Sequence, residues 1–333
     1  MTTSHTSANT HCTPRRRLLK TAAATALTGA YGFASAQAAW PSGPLKFIVP
    51  YPAGGNADAV ARLVAARVQA SLGQTVVIDN RAGAGGTIGT AAVAKMPPDG
   101  STFLLAPMGV VVITPHLRKL PYEPLTELVP VAMMSGSFGI VTARKDLAAS
   151  NMAEFVALAR KDPGKLTFGS AGNATATHIT GEIVHKATGV KLVHIPYKGS
   201  AEALNDLLAG RIDVIYDAVG LPQVKAGQLK ALAVTSGVRH PELPQVPTLA
   251  EQKVDVPGGS WFGVFAPKGT GVDIVNRLAA EVQKALSGSE AREGLARMSQ
   301  YPDFKGPEAF ARTVQTDYAT FRDLIQQIGL KAE

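Results

Sequence analysis

A glycine-rich loop between an apolar strand and a helix is the first segment that could bind a ligand. It runs from residue 51 to residue 56 and offers Tyr51, Ala53, Gly54, Gly55 and Asn56 as contacts. Glycines let a ligand approach the backbone, and the free N–H groups of a helix N-terminus attract an anion. The pattern predicts a carboxylate site that needs no titrating side chain. A tight turn without a ligand would use the same residues, so the loop alone leaves both alternatives open.

A second loop of this kind contains Ser170, Gly172, Asn173 and Thr175 and also joins a strand to a helix. Hydroxyl and amide donors beside a helix start favour an anion. Asn and Thr are also good helix caps, so capping alone would explain them. Asp217 follows a later apolar strand. Its carboxylate could accept a hydrogen bond from a ligand, repel a second carboxylate, or simply be solvated.

Two patterns suggest a metal or a nucleotide, but both are weak. His178, Glu182 and His185 share one helix face by their spacing, yet no matching fourth metal ligand stands out. Residues 83–88 are glycine-rich, but Ile88 stands where a dinucleotide fingerprint needs its third glycine. We therefore expect no metal and no cofactor.

The alternative to a ligand-binding site is the active site of a hydrolase. Ser170, a histidine and Asp217 are the residue types of a catalytic triad. The residues around Ser170 lack the G-x-S-x-G spacing of a nucleophile elbow, so we expect no catalytic residue. Trp261 and Phe262 are expected to pack in the core or at a hinge rather than to stack on a ligand.

The elements that position these residues occur in two similar sets. Strand and helix patterns alternate over residues 47–106 and again over 153–217, and each set predicts a parallel βαβαβ sheet with ligands at the carboxyl ends of its strands. Strand pairs follow at 129–143, with residues 135–137 between the two strands, and at 229–267. The first helix is predicted to be capped by Asn56 or Asp58 and to end at Gly73.

This repetition predicts an α/β fold of two similar lobes that exchange strands. The chain would cross between the lobes near 135–138 and near 237–260. Lobe 1 is expected to comprise residues 37–137 and 258–333, including a last helix, and lobe 2 residues 138–257. Two crossings form a hinge, which predicts closure on a ligand in the cleft.

The first 36 residues have the composition of an export signal. Arg15, Arg16 and Arg17 precede a short apolar run that ends in Ala34-Ser35-Ala36, a typical cleavage pattern. The arginines and the leucines after them resemble a twin-arginine motif, while the apolar run would also permit the general secretory route. Cleavage would lower the formal net charge from +8 to about +4, too little to indicate nucleic-acid binding. It would also remove Cys12, the single cysteine of the 333 residues, and with it any disulfide or thiol chemistry.

Eight stretches, in order and across most of the chain, resemble the Bug family, the periplasmic solute-binding proteins of tripartite tricarboxylate transporters. They are VPYPAGGNAD (49–58), DNRAGAGG (79–86), PDG (98–100), FGSAG (168–172), HIPYKG (194–199), LAVTS (232–236), PTLAE (247–251) and WFGVFAP (261–267). Each stretch alone is a weak signal, whereas the ordered set is specific.

The resemblance implies a periplasmic-binding-protein type II fold and an exported, soluble protein that acts as a monomer without a cofactor. It implies a small organic carboxylate as ligand, gripped by residues 51–56 and 170–175, with Asp217 near the ligand's distal part. Membrane components of a tripartite transporter would be the protein partners. A partnership with a membrane sensor, or an exported two-lobe hydrolase, remains the alternative. Ala53 departs from the family, where proline is common, which would loosen the first loop.

Overall fold

The computed structural model describes residues 1–5, 40–173, 175–256 and 259–329. The chain divides into two units, Met1–Ser42 and Gly43–Glu333, and the elements below belong to the second. The predicted export signal and its cleavage site lie outside the described residues, apart from residues 1–5. No helix within the described ranges combines the length and hydropathy needed to cross a membrane.

Two β-sheets organise the second unit. The strands of the first sheet, in chain order, are β1 (Leu45–Val49), β2 (Val76–Asn80), β3 (Thr102–Pro107), β4 (Leu128–Ser137), β10 (Trp261–Pro267) and β11 (Gln300–Lys305). Those of the second sheet are β5 (Ile140–Arg144), β6 (Thr167–Ser170), β7 (Val193–Pro196), β8 (Val214–Tyr216) and β9 (Leu229–Val234). The predicted strands are thus present, while β11 was not predicted.

Helices connect these strands and cover the sheets. They are α1 (Asn56–Leu72), α2 (Thr87–Ala94), α3 (Pro124–Glu127), α4 (Met152–Lys161), α5 (Ala176–Thr188), α6 (Ser200–Leu208), α7 (Leu221–Lys225), α8 (Val272–Leu286), α9 (Ser289–Ala296) and α10 (Pro307–Ile328). A short π-helical turn, Gly109–Ile113, follows β3. Amphipathic spacing accounts for the longer ones, since α8 turns Val275, Leu278 and Val282 inward.

The two sheets have matching topologies. The first has the order β11-β4-β10-β3-β1-β2 and the second the order β7-β6-β8-β5-β9. In the first sheet β1 runs parallel to β2 and β3, and Phe47 lies opposite Ile78 and Phe103. In the second sheet β6 runs parallel to β7 and β8. β10 and β5 each run antiparallel beside the parallel strands, and each comes from the other half of the chain. The predicted exchange of strands in an α/β fold is confirmed.

The chain crosses between the sheets twice, and the two crossovers are hydrogen-bonded to each other. One crossover joins β4 to β5 and the other joins β9 to β10. The amide of Ser137 donates to the carbonyl oxygen of Ser260 at 2.7 Å, and the amide of Thr235 donates to that of Gly139 at 2.8 Å. The first crossover is shorter than predicted, because residues 135–137 belong to β4 and pair with residues 300–302 of β11. The lobe boundaries at 137/138 and 257/258 stay a prediction.

The start of α1 differs from its prediction. Neither Asn56 nor Asp58 caps the helix, because the N-cap position is Gly55 and no side chain accepts a bond there. Asp58 lies within the first turn instead, and its carboxylate accepts from the amide of Gly54 at 2.9 Å. The predicted end is confirmed, since Gly73 adopts a left-handed conformation and its amide donates to the carbonyl oxygen of Gln69.

The long helix α10 packs on the first sheet through an aromatic cluster. The ring of Phe310 lies 5.0 Å from that of Trp261 and 5.1 Å from that of Phe265, measured between centroids. Gly263 on β10 leaves room for this ring, because a Cβ atom at Gly263 would lie 2.2 Å from the Phe310 ζ carbon. The indole nitrogen of Trp261 also donates to Asp317 of α10 at 2.7 Å. The glycine therefore sets how closely the helix approaches the sheet.

Replacing Gly263 with alanine should consequently destabilise the protein. Phe310 is fully buried, so it has little space to move, and overpacking of this kind costs about 1–3 kcal/mol. Urea unfolding would measure the change. The matched control is Gly237→Ala, since nothing lies within 4 Å of a Cβ atom there. Equal stability of the Gly263→Ala and Gly237→Ala variants would contradict this packing.

Candidate functional site

A cavity of about 610 Å³ lies where the carboxyl ends of parallel strands from both sheets face each other. Its size is within the range of small-molecule sites. Tyr51 and Asn56 line it after β1, while Asn173 and Thr175 line it after β6. Asp217 lines it after β8. Five of the ten predicted contact residues are therefore brought together at one cavity.

The first loop is held in place by bonds to neighbouring glycines and amides. The Tyr51 hydroxyl donates to the carbonyl oxygen of Gly85 at 3.2 Å, and Asn80 Nδ2 donates to the carbonyl oxygen of Tyr51 at 3.1 Å. Burial raises the pKa of Tyr51, so its hydroxyl stays protonated at neutral pH. Tyr51 is thus a fixed neutral group on the cavity wall.

The other predicted contacts of this loop do not line the cavity. Ala53, Gly54 and Gly55 are exposed, and the amide of Gly54 is already bonded to Asp58. Asp58 in turn accepts from Arg62 at 2.9 Å, and this bond lowers the pKa of Asp58 so that it stays charged. The Gly54 amide is therefore not a free donor. The donors left on this side are the first-turn amides of α1, which have no partner within a helix.

In the second loop the side chain of Ser170 points away from the cavity. Ser170 is only 2% exposed, and its Oγ lies 2.6 Å from Nε2 of His194. The same Oγ accepts from the amide of Gly172 at 3.1 Å. Ser170 and Gly172 are predicted contacts that the structure places behind the wall, because their donors are used to fold the loop itself.

The first residues of α5 line the cavity in place of Ser170 and Gly172. Thr175 is its N-cap and accepts from the amide of His178, while the Thr175 hydroxyl donates to the carbonyl oxygen of Gly172 at 2.7 Å. Ala176 and Thr177, the first two residues of the helix, line the cavity beside Asn173. Their amides lie in the first turn, where a helix cannot satisfy them and where its dipole is positive. This end of the cavity is suited to an anion.

A cluster of histidines lies behind the second loop. The His194 ring stacks on that of His178 with centroids 3.7 Å apart, and His185 Nε2 lies 2.7 Å from the Tyr216 hydroxyl. Burial lowers the pKa of His185 and of His194 to about 4. A hydrogen bond from His178 lowers the pKa of Glu182. His185 and His194 are therefore neutral and Glu182 is charged at neutral pH, and the described residues contain no group of three or more His, Cys, Asp or Glu residues that could hold a metal ion.

The residues of the hypothetical triad do not converge in the described structure. Ser170 pairs with His194, whereas Asp217 accepts from the amide of Val219 at 3.0 Å and from the Ser200 hydroxyl. Asp217 therefore supports the turn after β8 and shows one face to the cavity.

Among the lining residues that the sequence did not identify are Arg118 and Phe262. Arg118 lines the cavity from the proline-rich segment 115–130, which carries no motif. Phe262 was expected only to pack, but it also lines the cavity. No periodicity marked either position, because each reaches the cavity through tertiary contacts.

The two sheets exchange strands, and a cavity lies where the ends of their parallel strands face each other. This arrangement defines a ligand-binding protein of the two-lobe α/β class. The family described as tripartite tricarboxylate transporter family receptor matches residues 60–330, and the chain belongs to it. This confirms the family predicted from the ordered motifs.

Relatives and solved structures agree with this assignment. A protein of Pseudomonas sp. (strain P51), from a tcbD-tcbE intergenic region, is 38% identical over 323 residues and covers 96% of each chain. The periplasmic binding protein BugD is 35% identical, with a TM-score of 0.70 over 88% of this chain and 100% of its own. An R. palustris protein solved with adipate is 33% identical, with a TM-score of 0.73 over 88% and 100% of the two chains.

The histidine cluster predicts how stability depends on pH. The pKa of His185 is about 4 in the folded protein and 6.5 when unperturbed, so the unfolded state binds more protons between these values. The free energy of unfolding should therefore fall as the pH falls from 6.5 towards 4. Urea unfolding across this range should show a shallower pH slope for His185→Gln than for the unchanged protein. Identical slopes would mean that His185 is not held neutral by burial.

Proposed function

We propose that this chain is an extracytoplasmic solute-binding protein that captures a small organic carboxylate for a tripartite tricarboxylate-type transporter. The observation that carries the proposal is the anion-suited start of α5 at a cavity between the two sheets. Membership of the receptor family and the adipate found in a related structure support it. The predicted lobes, 37–137 with 258–333 and 138–257, would close on the ligand.

The proposed contact set follows from which donors are free. Asn56 and the first-turn amides of α1 would bind from the first sheet. Asn173, Ala176 and Thr177 would bind from the second sheet, with Tyr51 fixing one wall. Backbone amides aimed at a preformed site bind an anion without a charged partner, which explains why the site needs no titrating residue near this end.

Binding without catalysis is favoured by the placement of Ser170. A nucleophile must reach its substrate, whereas Ser170 is buried and hydrogen-bonded within its own loop. We propose that the protein is not an enzyme, acts as a monomer in the periplasm, and has the membrane components of the transporter as its partners. The proposed function involves neither a nucleic acid nor a cofactor.

A proline substitution tests the amide donors directly. Ala176→Pro removes the first N–H group of α5 but suits the fold, because proline is favoured at this position and Thr175 before it already has an extended conformation, with ψ at 162°. Losing one hydrogen bond to a charged group costs about 1.5–3 kcal/mol, so the dissociation constant for adipate should rise roughly ten- to a hundredfold.

Calorimetry with adipate on the unchanged protein, Ala176→Pro and Ala176→Ser makes the comparison. The serine variant keeps the amide and should bind nearly as tightly as the unchanged protein. Adipamide, which lacks both charges, should bind far more weakly than adipate. If the proline and serine variants bind adipate with equal affinity, the amide of residue 176 does not contact the ligand.

A further inference from the structure

Arg118 is the one positively charged side chain among the described residues that line the cavity. Its guanidinium is exposed, and neither an ion pair nor a side-chain hydrogen bond joins it to any other residue in the described ranges. Most other arginines in this part of the chain are engaged, as Arg144 is with Asp213 at 2.8 Å. An arginine that faces a cavity without a protein partner is available to a ligand.

The cavity is elongated along α5. Ala176, Thr180 and Ile183 line it and lie on one face of the helix, at spacings of four and three residues. At the helical rise per residue, the distance from Ala176 to Ile183 is about 10 Å. The cavity therefore extends about two helical turns beyond the anion-suited start of α5.

The segment that carries Arg118 packs against α10. The His116 ring contacts that of Tyr318 on α10, with centroids 4.3 Å apart. Phe321, one turn further along α10, lines the cavity. Leu117, the residue before Arg118, belongs to the same buried hydrophobic cluster as Ile183 of α5 and Phe321. The segment that carries Arg118 thus packs in the same cluster as α5 and α10.

The wall between the two ends is apolar. Ile113, Ile179, Ile183 and Phe321 all belong to one buried hydrophobic cluster and line the cavity. Asp217 is the other charged lining residue within the described ranges, and donors from Val219 and Ser200 already occupy its oxygens. The cavity therefore combines amide donors at the start of α5, an apolar wall and one guanidinium.

We propose that Arg118 determines specificity by binding the distal anionic group of an elongated dicarboxylate. The inference rests on the carboxylate-binding function proposed above and names its substrate class. One carboxylate lies at the start of α5, the aliphatic chain runs along the apolar wall, and the second carboxylate reaches Arg118. A short dicarboxylate cannot span both positions.

The experiment compares adipate with hexanoate, which has the same six carbons but lacks the distal charge. Calorimetry should show that the unchanged protein prefers adipate by about tenfold or more, the usual effect of one charge-assisted bond. In Arg118→Gln this preference should fall about tenfold through the affinity for adipate alone, while hexanoate binds as before. Arg118→Lys should keep part of the preference. Lys119→Gln, an exposed neighbour that does not line the cavity, is the matched control and should change nothing.

The outcomes separate this inference from the function on which it rests. An unchanged ratio of adipate to hexanoate affinity in Arg118→Gln overturns the role of Arg118. Binding of succinate but not of adipate supports the carboxylate function and overturns the elongated ligand. If adipate, hexanoate and succinate all fail to bind the unchanged protein, both proposals fail.

Discussion

Backbone hydrogen bonds between the two crossover segments hold the two sheets in a fixed arrangement. They join Ser137 to Ser260 and Thr235 to Gly139, at the points where the chain leaves one sheet for the other. Because each sheet then receives a strand from the other half of the chain, the carboxyl ends of the parallel strands in both sheets face one cavity. Strand-end loops of separate sheets can therefore contribute to a single site.

At the cavity, the side chains of the two strand-end loops mainly stabilise the loops themselves. The hydrogen-bond donors that remain for a ligand are the backbone amides at the starts of α1 and α5. The carboxylate of Asp58 accepts from the amide of Gly54, and the hydroxyl of Ser170 is hydrogen-bonded to the carbonyl oxygen of Gly172 and lies beside His194, so neither donor remains for a ligand. These internal bonds fix where α1 and α5 begin. The exposed first-turn amides are then preorganised, so little conformational entropy is lost when an anion binds.

Much of the fold could be predicted from the sequence, because the strands and long helices have clear hydrophobic periodicity and their repetition reveals the strand exchange. The candidate site was less predictable. Tyr51, Asn56, Asn173, Thr175 and Asp217 follow strand ends, where topology alone places them at the cavity. The inward turn of Ser170 depends on His194, which is distant in sequence, and Arg118 lines the cavity from a segment that contacts α10 through His116. Such tertiary contacts leave no local pattern.

Amide hydrogen exchange, resolved by residue with NMR and measured with and without saturating adipate, tests whether both sheets contribute to one carboxylate site. If the carboxylate is held between the starts of α1 and α5, exchange should slow at Asn56 and Ala57 and also at Ala176 and Thr177. Binding that leaves either pair of amides unprotected would contradict a site shared by the two sheets.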